Sequence, residues 1–135
     1  MKMNVFFFSI FDFIIYCNRA SHIEDDNILA KNKLEITFEE RNHEFGPVNI
    51  GEKVTHRFIF KNTGKASLII NNVKAGCGCT ITHYRSQAVS PGDTSNIKVA
   101  FLPTISDLGH NTKSIFIYSN AQNGVQKLTI RAKVK

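Results

Sequence analysis

The feature that most constrains this chain is the alternation of apolar and polar side chains in short segments after residue 32. The clearest segment, residues 54–61, places Phe58 and Phe60 on one face of an extended strand. Because successive side chains of a strand point to opposite faces, this alternation predicts strands with one buried face. No stretch shows a convincing helical period of 3.6 residues, so the pattern predicts an all-β fold.

Turn residues separate the predicted strands at intervals of about 8–12 residues, as is typical of β-sandwiches. Residues 62–65 and 90–93 are turn sequences, since asparagine and glycine tolerate the left-handed backbone that tight turns need. We expect residues 66–73 to return beside residues 54–61. The predicted strands are residues 34–38, 43–48, 54–61, 66–73, 80–84, 96–101, 114–118 and 128–134.

These strands predict an immunoglobulin-like β-sandwich of seven or eight antiparallel strands over residues 33–135, a length close to the ~100 residues of such domains. The chain contains no tryptophan, so it lacks the Cys…Trp…Cys pattern of antibody domains. We therefore expect hydrophobic packing between two sheets, rather than an inter-sheet disulfide, to hold the domain together.

The first 17 residues have the pattern of an export signal. Lys2 precedes an apolar run from Val5 to Ile15, which is close to the roughly 7–15 apolar residues of a secretory signal. The run is shorter than the roughly 20 residues that cross a bilayer. Residues 14–17 resemble a lipobox and make Cys17 the predicted lipidation site, although Tyr16 is larger than the usual residue there. A signal cut elsewhere and a buried N-terminal strand are the alternatives.

Residues 18–32 are polar and sustain no period. They include the acidic run Glu24-Asp25-Asp26, and they predict a flexible tether between the N-terminal segment and the domain. We therefore expect the protein to be exported to the periplasm or cell surface and held on a membrane by its N-terminal lipid.

Charge and motifs argue against several classes of function. The formal net charge is +6, and the basic residues are spread along the chain rather than clustered. Nucleic-acid binders combine a basic patch with exposed stacking aromatics, whereas the aromatics here fall at core-like positions. The sequence also lacks a glycine-rich phosphate loop, a His-Glu-x-x-His motif and a Gly-x-Ser-x-Gly motif. We expect no nucleic-acid binding, no enzymatic activity and no cofactor.

The most unusual local sequence is Cys77-Gly78-Cys79. If Cys17 carries lipid, Cys77 and Cys79 are left to pair with each other in the oxidising periplasm. On an extended strand their Cα atoms would lie ~6.6–7.2 Å apart, at the limit of the ~4.4–6.8 Å that a disulfide spans. Gly78 lets the backbone bend, so we expect a local, readily reduced bridge. Two free thiols on one face are the alternative.

Two such thiolates can begin a soft-metal site, but zinc normally takes four ligands. We predict no metal site, and regard Cys77, Cys79 and His83 only as weak candidates for one. His83 lies four residues beyond Cys79 but need not point back along an extended strand. His56 lies in phase with core positions, so we expect it to be a structural histidine.

The order of several short motifs resembles a known family. The motifs are His43-Glu44-Phe45-Gly46, Gly51-Glu52, residues 58–64, Cys77-Gly78-Cys79-Thr80, Pro91-Gly92 and Ser119-Asn120. In this order they resemble the domain of unknown function fifteen-seventy-three, common in secreted proteins of Bacteroidetes, over roughly residues 33–135. The resemblance implies an immunoglobulin-like sandwich and export, often as a lipoprotein. It implies no activity and supplies no catalytic residues.

Two functions remain open from the sequence. The first is an exported, membrane-anchored, non-enzymatic domain that acts as a monomer and binds another protein of the cell envelope through sheet edges or loops. The alternative is a small periplasmic thiol protein for redox exchange or copper binding through Cys77 and Cys79. The first function predicts neither stoichiometric metal nor a readily exchanging thiol in the purified domain.

Overall fold

Eight strands form in the computed structural model, which describes residues 33–77 and 80–135 and, for Ile81, the backbone alone. A single turn of 3₁₀ helix, Ile105–Asp107, is the helical element among these residues. The strands are β1 (Ile36–Phe38), β2 (Asn42–Val48), β3 (Val54–Asn62), β4 (Ile70–Ala75), β5 (Thr80–Tyr84), β6 (Thr94–Phe101), β7 (Gly109–Ser119) and β8 (Gln126–Val134).

The strands form two four-stranded sheets, sheet A in the order β1-β3-β6-β5 and sheet B in the order β2-β8-β7-β4. The predicted all-β fold is therefore confirmed. The prediction that every pair is antiparallel is wrong for β2 and β8, which run parallel. Both neighbours of β2 in the chain, β1 and β3, belong to sheet A. Crossings between the sheets, rather than a hairpin, therefore set the direction of β2.

The inner faces of the two sheets share one hydrophobic core. Every second residue of β8 is buried, and every second residue of β3 is buried from Phe58 onward and partly buried before it, as the alternation in the sequence predicts. Fully burying one large apolar side chain contributes about 1.5–3 kcal/mol, so this layer dominates the stability of the domain. The largest fully buried side chains include Phe58, Phe60 and Phe101 from sheet A and Ile115, Ile117 and Leu128 from sheet B.

The predicted pairing of residues 54–61 with residues 66–73 is wrong. β3 pairs with β1 and β6 in sheet A. The chain after the turn makes one isolated bridge between Leu68 and Val89, and β4 then starts at Ile70 and pairs with β7 in sheet B. The chain does bend close to the predicted turn, at residues 64–66, but a bend does not specify which sheet the next strand joins.

Asn62 supplies the physical reason for this crossing. Its side chain is fully buried at the end of β3. The Nδ2 group donates to the carbonyl oxygens of Ala66 and Val89, each at 2.8 Å, and Oδ1 accepts from the backbone N–H of Gly64 at 3.0 Å. These bonds satisfy the backbone of the crossing segment without a neighbouring strand, so the chain can leave sheet A.

A partly buried ion pair holds the connection between β6 and β7. The Asp107 carboxylate accepts hydrogen bonds from the backbone N–H of Thr104 at 2.8 Å and from Lys113 Nζ at 3.0 Å. The bond from the Thr104 backbone, and then the bond from Lys113, lower the pKa of Asp107. The carboxylate is therefore ionised at neutral pH, and its charge is compensated inside the fold.

The predicted export segment, residues 1–17, and the predicted tether, residues 18–32, lie outside the described residues. Both stay predictions. The described residues from Leu34 to Lys135 belong to one compact unit. Within the described ranges, no helix is both long enough and apolar enough to cross a membrane.

Candidate functional site

A row of basic side chains crosses the outer face of sheet A. Arg57 of β3 lies opposite Lys98 of β6, and Lys98 in turn lies opposite His83 of β5. We term these three residues the basic row. Like charges directly opposite each other on neighbouring strands destabilise a sheet. Placing Arg57 opposite Lys98 therefore destabilises sheet A, and the fold does not require cations at these two positions on its outer face.

The basic row lines an open groove of about 260 Å³ on the surface of sheet A. Arg85, which follows β5, adds a further positive charge, and Tyr84 and Asn96 complete the lining. None of the described residues that line the groove is a carboxylate. Among the described residues, none forms an ion pair with Arg57, Lys98 or Arg85. The groove therefore carries positive charge that the described part of the chain leaves uncompensated.

The outer face of sheet B is also basic, but its charges are arranged differently. Arg131 of β8 lies between Thr112 of β7 and Glu44 of β2. Lys127 of β8 lies opposite Phe116. These two cations thus face neutral or acidic neighbours, and sheet A is the better candidate for binding an anionic group.

A second candidate site lies where β2 of sheet B approaches β3 of sheet A. The imidazole rings of His43 and His56 stack with their centroids 3.6 Å apart and their planes 7° from parallel. Glu40, in the connection between β1 and β2, contacts Nε2 of His56 through Oε1. The potential ligand atoms of Glu40, His43 and His56 all lie within 4.8 Å of one another. We term these three residues the histidine cluster.

Two phenylalanines fix the orientation of the imidazole rings. The ring of Phe45 packs edge-on against His43, with the ring centroids 4.6 Å apart. The ring of Phe58 packs edge-on against His56, with the centroids 4.8 Å apart. Partial burial and the neighbouring His56 lower the pKa of His43, while Glu40 and Glu44 oppose this shift. The His43 ring is therefore held in its neutral form at neutral pH.

The structure describes only part of the predicted cysteine site. Cys77 is disulfide-bonded, and its Sγ lies 3.7 Å from Oγ1 of Thr80. The backbone N–H of Thr80 donates to the carbonyl oxygen of Cys77 at 3.3 Å. Cys79, like Cys17, lies outside the described residues, so the pairing of Cys77 with Cys79 stays a prediction. Peptide mapping of the unreduced protein tests it, because a bridge from Cys77 to any other cysteine contradicts the pairing.

Two predicted roles for histidines can now be compared with their surroundings. His83, the weak metal candidate, lines the basic groove, where neighbouring positive charges oppose cation binding. His56 does point inward on β3, as its phase in the sequence indicated, but it is half-buried and contacts Glu40. Reading each residue alone missed both groupings, because strand pairing within sheet A forms the basic row and the packing of β2 against β3 across the two sheets forms the histidine cluster.

Comparison with protein families identifies one match. The family described as "Protein of unknown function (DUF1573)" matches residues 36–134. No curated protein matches the sequence.

Several solved structures share the fold at low sequence identity. A protein of unknown function from Porphyromonas gingivalis W83 has a TM-score of 0.68 at 16% identity, over 77% of this chain and 48% of that one. PapD-like domain 7 of human CEP192 has a TM-score of 0.61 at 10% identity, over 78% of this chain and 87% of that one. The secreted serine protease VesC from Vibrio cholerae has a TM-score of 0.54 at 14% identity, over 82% of this chain and 25% of that one.

These likenesses concern the fold alone. The chain spans about half the length of the Porphyromonas gingivalis protein and a quarter of the length of VesC. PapD-like domains share the two-sheet sandwich architecture of immunoglobulin domains without sequence similarity. The same architecture hosts unrelated functions, so the function of this chain has to be argued from its own surface.

Proposed function

The chain belongs to the DUF1573 family of proteins of unknown function, and we propose that it is an immunoglobulin-like, non-enzymatic binding domain for an acidic segment of another envelope protein. The observation that carries this proposal is the basic row on sheet A, in which Arg57 lies directly opposite Lys98 without a carboxylate nearby. Carboxylates supplied by a partner would attract both cations and so offset the repulsion between them. Complementary charges of this kind give specificity and speed association.

The position of the groove suggests how a partner segment binds. His83 and Tyr84 of β5 line the groove, and β5 is one of the two edge strands of sheet A among the described residues. Edge strands offer unpaired backbone groups to which an extended segment can add as a further strand. Alternate side chains of that segment would then project onto the groove face. We infer that acidic residues at every second position of the partner lie beside His83 and Arg85, and that Lys98 and Arg57, farther across sheet A, attract them at longer range.

The lining of the groove supports binding rather than catalysis. The described residues of the lining include no carboxylate, serine or cysteine, and His83 has positive neighbours among them instead of an acidic residue that could orient it as a general base. A shallow basic groove suits an extended acidic peptide better than a small substrate, which is usually enclosed in a deeper and mainly apolar cavity.

Export and membrane anchoring belong to the same proposal and rest on residues 1–17. The apolar run and Cys17 have the pattern of a lipoprotein signal, and stable anchoring takes two acyl chains because one binds only marginally. We expect Cys17→Ser to release the protein from the membrane fraction. An unmodified Cys17 in the intact mass of the native protein would rule out the lipid.

Charge reversal tests the groove. In the full chain, we expect the double variant Arg57→Glu, Lys98→Glu to bind a fluorescent peptide of alternating glutamate and valine roughly 10-fold or more weakly. Each exposed charge pair contributes about 0.2–1 kcal/mol, and reversal adds repulsion to that loss. Fluorescence anisotropy measures the affinity, which should also fall as salt rises because these charges are exposed.

The matched control is Arg131→Glu, Lys133→Glu, which makes the same change in charge on the outer face of sheet B. We expect this variant to retain the affinity of the native chain within about a factor of three, because distant exposed charges are largely screened. Equal losses in both variants would show attraction to the net charge alone. That result, or an absence of binding by the native chain, contradicts the proposed groove.

A further inference from the structure

We propose that the histidine cluster, Glu40, His43 and His56, is a binding site for a divalent transition-metal ion of the zinc type. Three potential ligand atoms from three segments of the chain converge here within 4.8 Å. The site is separate from both the predicted cysteine site and the basic groove. His56 points inward from β3, whereas its neighbour Arg57 points outward into the groove.

The ligand types suit this class of ion. Imidazole binds zinc, copper and nickel well, and two histidines with one glutamate form a known zinc ligand set that leaves a fourth position open. The ring nitrogens of His43 make no hydrogen bond to any described residue, so a lone pair is available. At His56, an ion would replace the hydrogen-bonding proton between Nε2 and Glu40 and keep both atoms as ligands.

The distances require only a local adjustment. Zinc–nitrogen and zinc–oxygen bonds are about 2.0–2.2 Å long, which places tetrahedral ligand atoms roughly 3.3 Å apart. The potential ligand atoms lie within 4.8 Å of one another, so the pairs farthest apart must approach by up to about 1.5 Å. Each metal–nitrogen bond lies close to the plane of its ring, so the two imidazoles must splay apart, and Glu40 must swing inward. The Glu40 side chain is 45% exposed, which leaves it room to do so.

The surroundings of the rings favour a defined site. Phe45 and Phe58 pack edge-on against the two imidazoles and restrict their rotation. His43 belongs to sheet B and His56 to sheet A. A bound ion would therefore join the two sheets near β2, which pairs only with β8 among the described strands. An ion that binds the folded state but not the unfolded state also raises the melting temperature of the domain.

Isothermal titration of the full chain with zinc chloride tests the proposal. We expect one equivalent to bind with micromolar or tighter affinity and the melting temperature to rise. His43→Gln and His56→Gln should each weaken binding at least 10-fold, as should Glu40→Gln. Glutamine retains much of the size and polarity of each side chain but is a far poorer ligand. The matched controls His83→Gln and His110→Gln remove histidines elsewhere and should bind zinc as the native chain does.

X-ray absorption of the zinc-loaded native chain keeps the test independent of how well the variants fold. We expect nitrogen and oxygen ligands, with the multiple scattering of two imidazoles and no sulfur. Sulfur ligands would place the ion at the cysteines and overturn the proposal. No binding by the native chain at millimolar zinc would also overturn it, as would variants at His43 and His56 that bind zinc as tightly as the two controls.

Discussion

Replacing Phe58 by alanine is expected to lower the free energy of unfolding by about 3–5 kcal/mol, the usual cost of deleting a buried phenylalanine ring. Phe58 is fully buried in the middle of β3, opposite Ile97 of β6. The substitution loses the transfer free energy of the ring and leaves a cavity that the sheets on either side can only partly fill. Domains of this size are stabilised by about 5–15 kcal/mol in total, so the loss is a large fraction of it.

Urea unfolding followed by circular dichroism measures this effect, and the variant should change the midpoint with little change in slope. Ile59→Ala is the matched control, because Ile59 is the next residue of the same strand and is 40% exposed on the outer face. We expect it to cost about 1 kcal/mol or less. Similar losses at the two positions would contradict the assignment of the inner face, and substantial helix in the native spectrum would contradict the all-β fold.

Replacing Asn62 by alanine is expected to cost about 3 kcal/mol or more, although an amide is much smaller than a phenyl ring. The substitution leaves the carbonyl group of Ala66 and the N–H of Gly64 without this partner, and the carbonyl oxygen of Val89 keeps only its bond from the N–H of Leu68. Each buried polar group left unpaired costs about 1–3 kcal/mol, less where water can enter. The hydrogen bonds that are lost are those that hold the segment crossing from sheet A to sheet B.

Asn71→Ala is the matched control for this prediction, because Asn71 is exposed on β4 and its side chain makes no hydrogen bond to the described residues. We expect its effect on the free energy of unfolding to stay within about 0.5 kcal/mol. Hydrogen exchange should show faster opening around Leu68 and Val89 in Asn62→Ala. A loss at Asn62 no greater than at Asn71 would contradict the role of Asn62 in the crossing.

The basic groove and the histidine cluster can be altered independently, although β3 contributes to both. Successive side chains of this strand point to opposite faces, so Arg57 serves the groove while His56 and Phe58 face inward. Phe58→Ala is the exception, since the ring of Phe58 packs edge-on against His56. We therefore expect it to weaken zinc binding as well as stability, and to leave peptide binding by the folded fraction unchanged.

The sequence by itself determined the class of fold and most of its strands. Alternation is a local property, with a period of two, and burial of one face enforces it in strands such as β3 and β8. Turn residues are equally local, because asparagine, glycine and proline act on the backbone where they stand. For the same reason, the local pattern correctly indicated that His56 points inward.

The tertiary structure alone decided which strands are neighbours. The chain bends at residues 64–66, just after β3, yet buried hydrogen bonds of Asn62 send it across to the other sheet instead of back along β3. The parallel position of β2 beside β8 likewise depends on residues far apart in the sequence. No local pattern encodes such pairings, because they are set by which faces can be buried together.

Both candidate sites are consequences of that pairing. Arg57, Lys98 and His83 are spread widely along the chain, and the strand order and register of sheet A alone place them in one row. His43 and His56 meet because β2 and β3 belong to different sheets that face each other. The sequence supplied the charged and ligating side chains. The register within sheet A and the packing of one sheet on the other gave them common locations.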